Sequence, residues 1–494
     1  MPTRGIPSWR QILLTVTVTL IAQAIGLVAA RTVYFMDDAP FFFRYAEHIA
    51  QGYGYRWNVG ESPIWGASAP LWPLLLAGLV RLGVGVETAA IWLGAALTLA
   101  ASTLLAVTAL RLIGMTGALA YVVFSATNFK FCFWATQGME TPLSYLLVAL
   151  GLAGLCWKRP AVPASVVAGL SLVHKLDFAP FGVLVLVGAW IRTRRFPWYA
   201  LGVSLGMGAL WYGFALSHFG SPIPNALMTK LQATYGGVAW HWFLTVALLD
   251  GGRKILLLCA MLSVPALWPQ KQLLAVGWGL IAILTAGYTI SPPAEAFEWY
   301  AMPIQPALCF LAAAGTSFAL RRVTNAASLS ASRLVVAHVF ALVAIGAACG
   351  LEERRVTAAT KRWVDHVEQD RSNAGRWVAH HTPADATVLT GFGNVAYYGQ
   401  RYVYDRSYLN RPRPAGGGTE DFVGRFRPDV IVECYHNSGI PPLGARPTAG
   451  YRVARVFDVS HRLGGIDFYV VVMLRQNDAV GPTQSDARPE REAS

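Results

Sequence analysis

Two adjacent carboxylates, Asp37 and Asp38, follow the first long apolar run of the chain. Adjacent carboxylates at a membrane surface suit a general base, which takes a proton from a reacting hydroxyl, or a ligand set for a divalent cation such as Mg²⁺, Mn²⁺ or Ca²⁺. An acidic pair also serves as a helix cap, which is the commoner role for such a pair taken alone. The residues around the pair therefore decide between chemistry and capping.

Further carboxylates stand at the ends of apolar runs, among them Glu140 and Asp177. A charge beside hydrocarbon is costly, and it usually faces a cavity or a partner. On the topology predicted below, Glu87 alone lies on the inner face, and the other nine acidic residues before residue 351 lie on the outer one. These nine are Asp37, Asp38, Glu47, Glu61, Glu140, Asp177, Asp250, Glu295 and Glu298.

The composition indicates the kind of scaffold that holds these residues. The chain of 494 residues is 54% hydrophobic and 14% charged, with a mean hydropathy of +0.42, whereas soluble domains carry about 25% charged residues. The apolar residues come in long runs, and a helix needs about 20 of them to cross roughly 30 Å of hydrocarbon. We therefore predict a polytopic α-helical membrane protein.

The apolar runs predict about 12–13 membrane crossings. The first run, residues 11–30, has no small-residue cleavage site behind it, so we interpret it as a helix rather than a signal peptide. The other runs cover residues 70–84, 88–110, 115–127, 141–157, 161–176, 178–191, 198–217, 254–268, 272–290, 300–320 and 334–350. Residues 112–140 must hold an even number of crossings or a broken one, and Asn128, Lys130 and Gly138 favour a broken or re-entrant segment.

Lys and Arg residues in short turns predict the orientation of these helices, because cytoplasmic loops are enriched in them. The rule places the N-terminus in the cytoplasm of a bacterial cell and residues 31–69, 218–252, 291–299 and everything after 350 outside the plasma membrane. The turns that carry the signal contain Arg81, Lys158, Arg159, Arg192, Arg194, Arg195, Lys271, Arg321, Arg322 and Arg333.

The chain changes character after residue 350. Residues 351–380 have a charged, helical pattern, and short apolar runs bounded by turn residues follow, which is typical of a small α/β domain. We predict a membrane domain over residues 1–350 with a first loop over 31–69, an extracytoplasmic α/β domain over 351–475, and a disordered polar tail over 476–494.

The net charge of +13 does not indicate a nucleic-acid partner. Residues 351–494 hold 19 basic and 17 acidic residues, so most of the excess falls in the first 350 residues, which hold 21 basic and 10 acidic ones. Many of these basic residues flank apolar runs, which is a topology signal. The partner we predict from composition is the lipid bilayer.

The residues from Asp37 onward read DDAPFFFRYAEHIAQGYGYRWNVGESPIWGASAPLWPLLLAGL. This stretch resembles the first-loop signature of a subgroup of GT-C membrane glycosyltransferases, which includes the mycobacterial terminal arabinofuranosyltransferases that use decaprenyl-phosphate arabinose. The matching residues are Asp37, Asp38, Ala39, Phe43, Arg44, Tyr45, Ala46, Gly52, Gly54, Asn58, Gly60, Glu61, Gly66, Pro70, Leu71 and Trp72.

Shorter elements extend the resemblance along most of the chain. They are the stretches from Gly138 to Leu143, with Glu140, from His174 to Asp177, from Ser221 to Asn225 with Lys230 behind it, from Gly393 to Tyr398, and the pair Tyr404 and Asp405. The sequence departs from the family pattern at two places: residues 64–68 read IWGAS where the family has EGYT, and His174-Lys175-Leu176 replaces a TRP triplet. Both departures bear on which sugar or acceptor is used.

The resemblance implies a GT-C fold and an inverting transfer of a sugar from a polyprenyl-phosphate donor to a glycan or lipid of the cell envelope. On this basis Asp37 is the predicted base, and Asp38 supports it or binds a metal ion. Fixed cations on that face offset the charge of the leaving phosphate; the candidates are Lys230, Lys175 and Arg44. The predicted substrate-binding residues are Glu61, Trp72, Glu140, Asp177 and Asn225, and Trp65, Trp72, Trp299 and Tyr300 are candidates for stacking on sugar or prenyl groups.

Two other classes of function compete with a transferase. A transporter or flippase of a lipid-linked sugar would place charges at mid-depth and use paired discontinuous helices, but the apolar runs are almost free of charge at mid-depth. A non-catalytic scaffold for envelope assembly would leave the acidic helix ends unexplained. The sequence therefore favours surface chemistry, with the flippase as the alternative.

Overall fold

The computed structural model describes residues 6–232, 239–291, 297–327, 330–391, 393–411, 422–436, 448–463 and 467–476. Helices dominate up to residue 381, and a small sheet follows. The helices before the sheet are α1 Trp9–Ala30, α2 Asp38–Ala50, α3 Leu71–Arg81, α4 Val86–Ile113, α5 Met115–Thr127, α6 Phe129–Ala135, α7 Thr141–Gly154, α8 Ala161–His174, α9 Ala179–Thr193, α10 Trp198–Phe219, α11 Asn225–Gln232, α12 Trp242–Leu244, α13 Arg253–Met261, α14 Ser263–Leu267, α15 Lys271–Ile290, α16 Gln305–Ala326, α17 Ala331–Trp363 and α18 Gln369–His381.

Within the described residues, seven helices are long and apolar enough to cross a membrane, or eight if the bent pair α5 and α6 forms one crossing. Three shorter apolar helices, α3, α7 and α8, accompany them. Large apolar side chains such as Leu210 and Phe340 are more than two-thirds exposed on the outer surface, where only hydrocarbon could cover them without cost. The chain is thus a multi-pass membrane protein, and the described residues contain fewer long membrane helices than the 12–13 crossings predicted from the sequence.

The prediction that residues 70–84 cross the membrane is wrong, and so is the side predicted for Arg81 and Glu87. Helix α3 has 11 residues and spans about 16 Å at 1.5 Å per residue, half the thickness of the hydrocarbon. The Arg81 guanidinium donates to the carbonyls of Ile49 and Ala50 in α2. Tyr398, which belongs to the C-terminal domain, donates to Glu87 Oε1 at 2.8 Å. Both residues therefore lie on the face that carries that domain.

The break predicted between residues 112 and 140 is present. Helices α5 and α6 meet at Asn128 with a bend of 66°, and Asn128 Oδ1 caps α6 by accepting from the Phe131 N–H at 3.0 Å. The buried Lys130 ammonium then binds the Glu298 carboxylate and Thr360 Oγ1. Because α3 does not cross, α4 begins on the domain face and ends on the opposite face, where Arg321 donates to the Ile113 carbonyl. Helix α5 then leads back toward the domain face.

Helix α17 continues through the predicted domain boundary at residue 350 and leads into the C-terminal domain. Helix α17 passes through a single π-turn, Val364–Glu368, into α18. The remaining elements are β1 Thr387–Thr390, α19 Asn394–Tyr398, β2 Tyr402–Asp405, α20 Phe422–Phe426, β3 Val430–His436, β4 Tyr451–Asp458 and β5 Phe468–Arg475.

These strands form one five-stranded sheet in the order β2-β1-β3-β5-β4. Strand β1 pairs in parallel with β2 and β3, and β5 pairs antiparallel with β3 and β4. Helix α18 covers one face with Ala374 and Val378, which pack against Val430 and Val470. A small α/β domain is therefore present as predicted, while residues 477–494 of the predicted tail lie outside the described residues.

Arg44 ties helix α2 to this domain. Its guanidinium donates to the Trp57 carbonyl and Asn58 Oδ1 in the first loop, and to the carbonyls of Ala396 and Arg401 in the C-terminal domain, at 2.7–2.9 Å. It also lies 4.7 Å from the Trp57 ring centroid. Burial lowers the pKa of Arg44 to about 10, so the side chain stays charged at neutral pH. Its contacts make it the link between the first loop and the domain.

We expect Arg44→Ala to weaken this link. The substitution removes a donor from the carbonyls of Trp57, Ala396 and Arg401, and an unsatisfied buried group costs about 1–3 kcal/mol. The purified variant should unfold at a lower temperature in detergent, and its C-terminal domain should be cut faster by added protease. Arg195→Ala, at an exposed turn, is the matched control. Unfolding of Arg44→Ala at the wild-type temperature would contradict the structural role.

The orientation predicted from the basic turns can be tested on the two faces of this structure. In a Cys434→Ser background, which removes the exposed native cysteine, single cysteines at the exposed Asp385 and Asn325 mark the domain face and the opposite end of α16. An impermeant thiol reagent should label position 385 in intact cells, and position 325 only after the cells are opened. The reverse pattern would invert the predicted topology.

Candidate functional site

A cavity opens on the domain face where helix α2, the first loop and the C-terminal domain meet. Its charged and polar lining consists of Asp38, Ser68, Glu140 and Lys175. The rest of the lining is apolar or aromatic and comprises Phe41, Phe42, Gly66, Met139, Ala226, Trp299, Tyr300 and Leu409. A mostly apolar concave site with a few convergent polar groups is the usual form of a small-molecule site.

Lys175 is the basic residue of this cavity and lies between two carboxylates. It stands at the break between α8 and the 3₁₀ turn Leu176–Phe178, where an extended backbone turns it out of the helix. Its ammonium lies 3.2 Å from Glu140 Oε1, 3.6 Å from Asp177 Oδ2 and 4.4 Å from the centroid of the Tyr300 ring. The break in the helix thus brings a cation between two carboxylates at the cavity wall.

The two carboxylates keep hydrogen-bonding capacity. Glu140 Oε2 and Asp177 Oδ1 are buried and accept no hydrogen bond from any residue in the described part of the chain. Tyr288 donates to the other oxygen of Asp177 and stacks on Tyr300, with ring centroids 5.3 Å apart. Buried polar atoms are nearly always paired in folded proteins, so these oxygens are suited to accept from hydroxyl groups of a ligand.

The Asp37-Asp38 pair divides between two environments. Asp38 begins α2 and lines the cavity, whereas Asp37 is absent from the lining and faces the C-terminal domain. Asp37 Oδ1 accepts the backbone N–H of Asn394 at 2.7 Å, and Oδ2 lies 3.5 Å from Arg371 Nη1. Gly393 has φ +94°, and a side chain there would overlap the Asp37 carboxylate.

A buried network holds Asp37 from behind. Arg371 also contacts Glu368, with 3.1 Å between Nη1 and Oε1, and Glu368 accepts from Asn394 Nδ2 at 2.9 Å and from the Trp363 indole at 3.2 Å. Ser372 donates to Asn394 Oδ1 at 3.0 Å. Two carboxylates therefore share one guanidinium and one asparagine, which fixes Asp37 and with it the start of α2.

Two of the residues predicted to bind substrate make hydrogen bonds within the protein. Asn225 Nδ2 donates to the carbonyls of Tyr408, Leu409 and Arg411 at 2.7–2.9 Å. The Trp72 indole is entirely buried and donates to the Gly138 carbonyl at 2.7 Å. These contacts assign both residues to positioning the cavity walls.

The other predicted residues divide in the same way. Arg44 lies at the interface described above, which assigns it to the domain contact rather than to a donor phosphate. Glu61 lies in a separate groove, where it binds Tyr402 and Asn58. Lys230 belongs to helix α11, but its side chain lies outside the described residues. Of the predicted set, the structure brings together Asp38, Glu140, Lys175 and Asp177.

Sequence reasoning missed most of the residues that hold Asp37. Arg371 and Glu368 lie in a charged helical stretch that looks solvent-exposed in the sequence, and only the Gly393-Asn394 element carried a signal. Of the aromatic candidates, Trp299 and Tyr300 line the cavity, whereas Trp65 packs against Trp211 with ring centroids 5.4 Å apart.

No metal centre stands out in the part of the chain that the structure describes. Among those residues, no three side chains of His, Cys, Asp or Glu come together in a way that could hold a metal ion. A divalent cation on Asp38 therefore stays a prediction from the sequence.

Comparison with known proteins places the fold. The chain matches no known protein-family model and no curated protein. Its structure is similar to that of ArnT from Cupriavidus metallidurans in the apo state, with a TM-score of 0.60 and 16% identity over 96% of this chain and 99% of that chain. The chain thus has the GT-C type of fold, a polytopic helical membrane domain with a small C-terminal sheet domain.

Proposed function

We propose that this protein is an inverting glycosyltransferase that moves a sugar from a polyprenyl-phosphate donor to a glycan or lipid acceptor of the cell envelope. The reaction takes place on the outer face of the bacterial plasma membrane. The observation that carries the proposal is the meeting of Asp38, Glu140 and Lys175 in one cavity beside Trp299 and Tyr300. The GT-C fold and the first-loop signature support the same class of reaction.

The base of this reaction is Asp38 rather than Asp37, which reverses the order predicted from the sequence. An acceptor hydroxyl must lose its proton as it attacks the anomeric carbon, so the base must reach the reacting atoms. Asp38 lines the cavity, whereas both oxygens of Asp37 face the C-terminal domain. Asp37 therefore acts as a positioning residue that orients the carboxylate next to it.

The cation that stabilises the leaving phosphate is Lys175, with Lys230 as a second candidate. Charge grows on the phosphate oxygen as the sugar departs, and a fixed ammonium nearby offsets it. Lys175 is held by Glu140 and Asp177, and the third N–H group of its ammonium is the one we assign to the phosphate. Glu140 Oε2 and Asp177 Oδ1 then accept hydrogen bonds from hydroxyl groups of the sugar.

The apolar and aromatic part of the cavity suits the rest of the donor. Phe41, Phe42 and Met139 offer a surface for the first prenyl units, and Trp299 contributes an aromatic wall beside the sugar. Transfer of an arabinofuranosyl unit is the finer proposal, and it rests on the first-loop resemblance. The charges stand at helix ends on one face, which favours surface chemistry over a flippase.

Two substitutions separate the roles of the acidic pair. Asp38→Asn keeps the shape of the side chain but removes its basicity, and we expect turnover to fall by roughly 10²–10⁴-fold. Asp37→Asn should lower the unfolding temperature, because it loses the ion pair with Arg371, and should reduce turnover less. The assay is transfer from radiolabelled polyprenyl-phosphate sugars by purified enzyme, with and without EDTA. A folded Asp37→Asn variant that loses more turnover than Asp38→Asn would restore Asp37 as the base.

The phosphate cation is tested by comparing Lys175→Gln with Lys230→Gln. Loss of Lys175 should weaken donor binding and reduce turnover further, because the phosphate charge grows toward the transition state. Lys254→Gln is the control, since Lys254 makes an exposed pair with Glu352. Wild-type turnover in Lys175→Gln together with a loss in Lys230→Gln would move the phosphate to Lys230.

A further inference from the structure

A second cavity, of about 600 Å³, lies between the first loop and the edge strand of the C-terminal sheet. The first loop contributes Trp57, Asn58 and Glu61, and the domain contributes Tyr402, Tyr404 and Phe426. We call this cavity the edge groove. Building on the proposed function, we infer that the edge groove is a binding subsite for sugar units of a glycan acceptor that lie away from the reacting hydroxyl.

The aromatic residues of the edge groove present a platform. The Tyr404 and Phe426 rings stack with centroids 4.5 Å apart and an angle of 24° between their planes, and Tyr402 lies edge-on to Tyr404 at 5.1 Å. The apolar C–H face of a pyranose or furanose ring packs well on such a surface, because an aromatic ring buries much area at little cost in conformational freedom. Arg411 lies over Phe426, 4.7 Å from its ring centroid, so Tyr404 is the ring of this pair that we expect to receive the sugar.

An oriented carboxylate, Glu61, stands beside the platform. Glu61 is held by the Tyr402 hydroxyl and by Asn58 Nδ2, the latter at 3.0 Å. Asp405 is buried, and its two oxygens already accept the N–H groups of Ser407 and Asn410, at 2.8 and 2.9 Å, so it supports the wall of the groove. Groups whose orientation is fixed before binding lose less entropy when a ligand binds. Acceptor oxygens beside an aromatic face are the pattern that a polyhydroxylated ligand requires.

The edge groove adjoins the reaction cavity. Leu409 and Gly66 line the reaction cavity, while the neighbouring Asn410 and Ile64 line the groove. Asn410 Oδ1 accepts from the Tyr45 hydroxyl at 2.9 Å, and a side chain on Gly66 would overlap that oxygen. The two cavities thus share parts of the first loop and the segment of Leu409 and Asn410 as a common wall. A glycan in the groove would be held close to the reaction cavity, so that contacts remote from the reacting centre contribute to transfer.

The other large cavities argue against a lipid chain in the groove. One is formed by Trp278, Ile281, Ala282 and Ile290 on α15, and another by Leu20, Leu99 and Leu104 on α1 and α4. Both have almost wholly apolar linings on membrane helices, where a prenyl or acyl chain is at home. An apolar chain in the edge groove would bury Glu61 without a polar partner on the ligand side, which is costly.

The inference is tested by binding, without any transfer reaction. Purified full-length protein in detergent is titrated with arabinan, galactan and mannan oligosaccharides, and binding is followed by saturation-transfer difference NMR and calorimetry. We expect at least one oligosaccharide to bind. Tyr404→Ala and Glu61→Gln should each weaken that binding by roughly tenfold, the equivalent of losing one ring contact or one charged hydrogen bond.

Tyr199→Ala, which removes an exposed tyrosine from helix α10, is the matched control and should bind as the wild type does. Thermal unfolding confirms that each variant is folded, and Glu61→Gln keeps the size of the side chain should Tyr404→Ala not fold. Failure of all the oligosaccharides to bind, or equal affinity in the wild type and both groove variants, overturns the inference. Neither result bears on donor transfer, whose failure would show separately in the turnover of Asp38→Asn and the wild type.

Discussion

The charged groups buried between the first loop and the C-terminal domain each need a partner on the other side. The reaction cavity depends on these paired contacts. Asp37 receives an N–H from Asn394 and faces Arg371, while Arg44 donates in the opposite direction to carbonyls of the domain. Removing one partner of such a contact leaves the other charge uncompensated, which costs far more than the contact itself contributes. Because Asp38 follows Asp37 directly in the chain, the network that holds Asp37 also sets the direction of Asp38 into the cavity.

The same principle of matched charge shapes the interior of the cavity. Lys175 is the cation within a group that includes Glu140 and Asp177, and a tyrosine pair closes the group from behind. Such a group suits a ligand whose hydroxyl groups donate to the carboxylates and whose phosphate binds the ammonium. The first loop serves both this cavity and the edge groove, since Ile64 and Gly66 face different sides of one wall.

Much of the fold could be predicted from the sequence because hydropathy directly reflects the solvent around a helix. The long runs that became α1, α4, α10 and α15 are examples, as is the break at Asn128. Hydropathy fails for α3, which buries Trp72, Leu76 and Ala77 in the protein and is too short to cross the hydrocarbon. Arg81 then misled the topology, because a guanidinium bound to carbonyls of α2 looks the same in sequence as one in a cytoplasmic turn.

The site was predictable to the extent that residue type limits chemistry. A carboxylate pair, a glutamate before α7 and a lysine after α8 could be selected as candidates. The structure brings Asp38, Glu140 and Lys175 to one cavity. Which member of the pair faces the cavity depends on a rotation of about 100° between neighbouring residues of a helix, which the sequence pattern does not resolve. Arg44 shows the same limit, because the sequence does not distinguish an arginine that binds carbonyls from one that binds phosphate.

The contact between Asp37 and Asn394 joins residues 357 positions apart, and the contact between Arg44 and Ala396 joins residues 352 apart. A ribosome that adds roughly 5–20 residues per second needs about 20 to 70 seconds to cover that distance. Throughout this interval the first loop has left the ribosome while its partners have not been made, although the helices between them can already insert. The last stage of biosynthesis therefore assembles the reaction centre, and a chain that stops before Gly393 can hold a complete set of membrane helices and still lack a fixed Asp37.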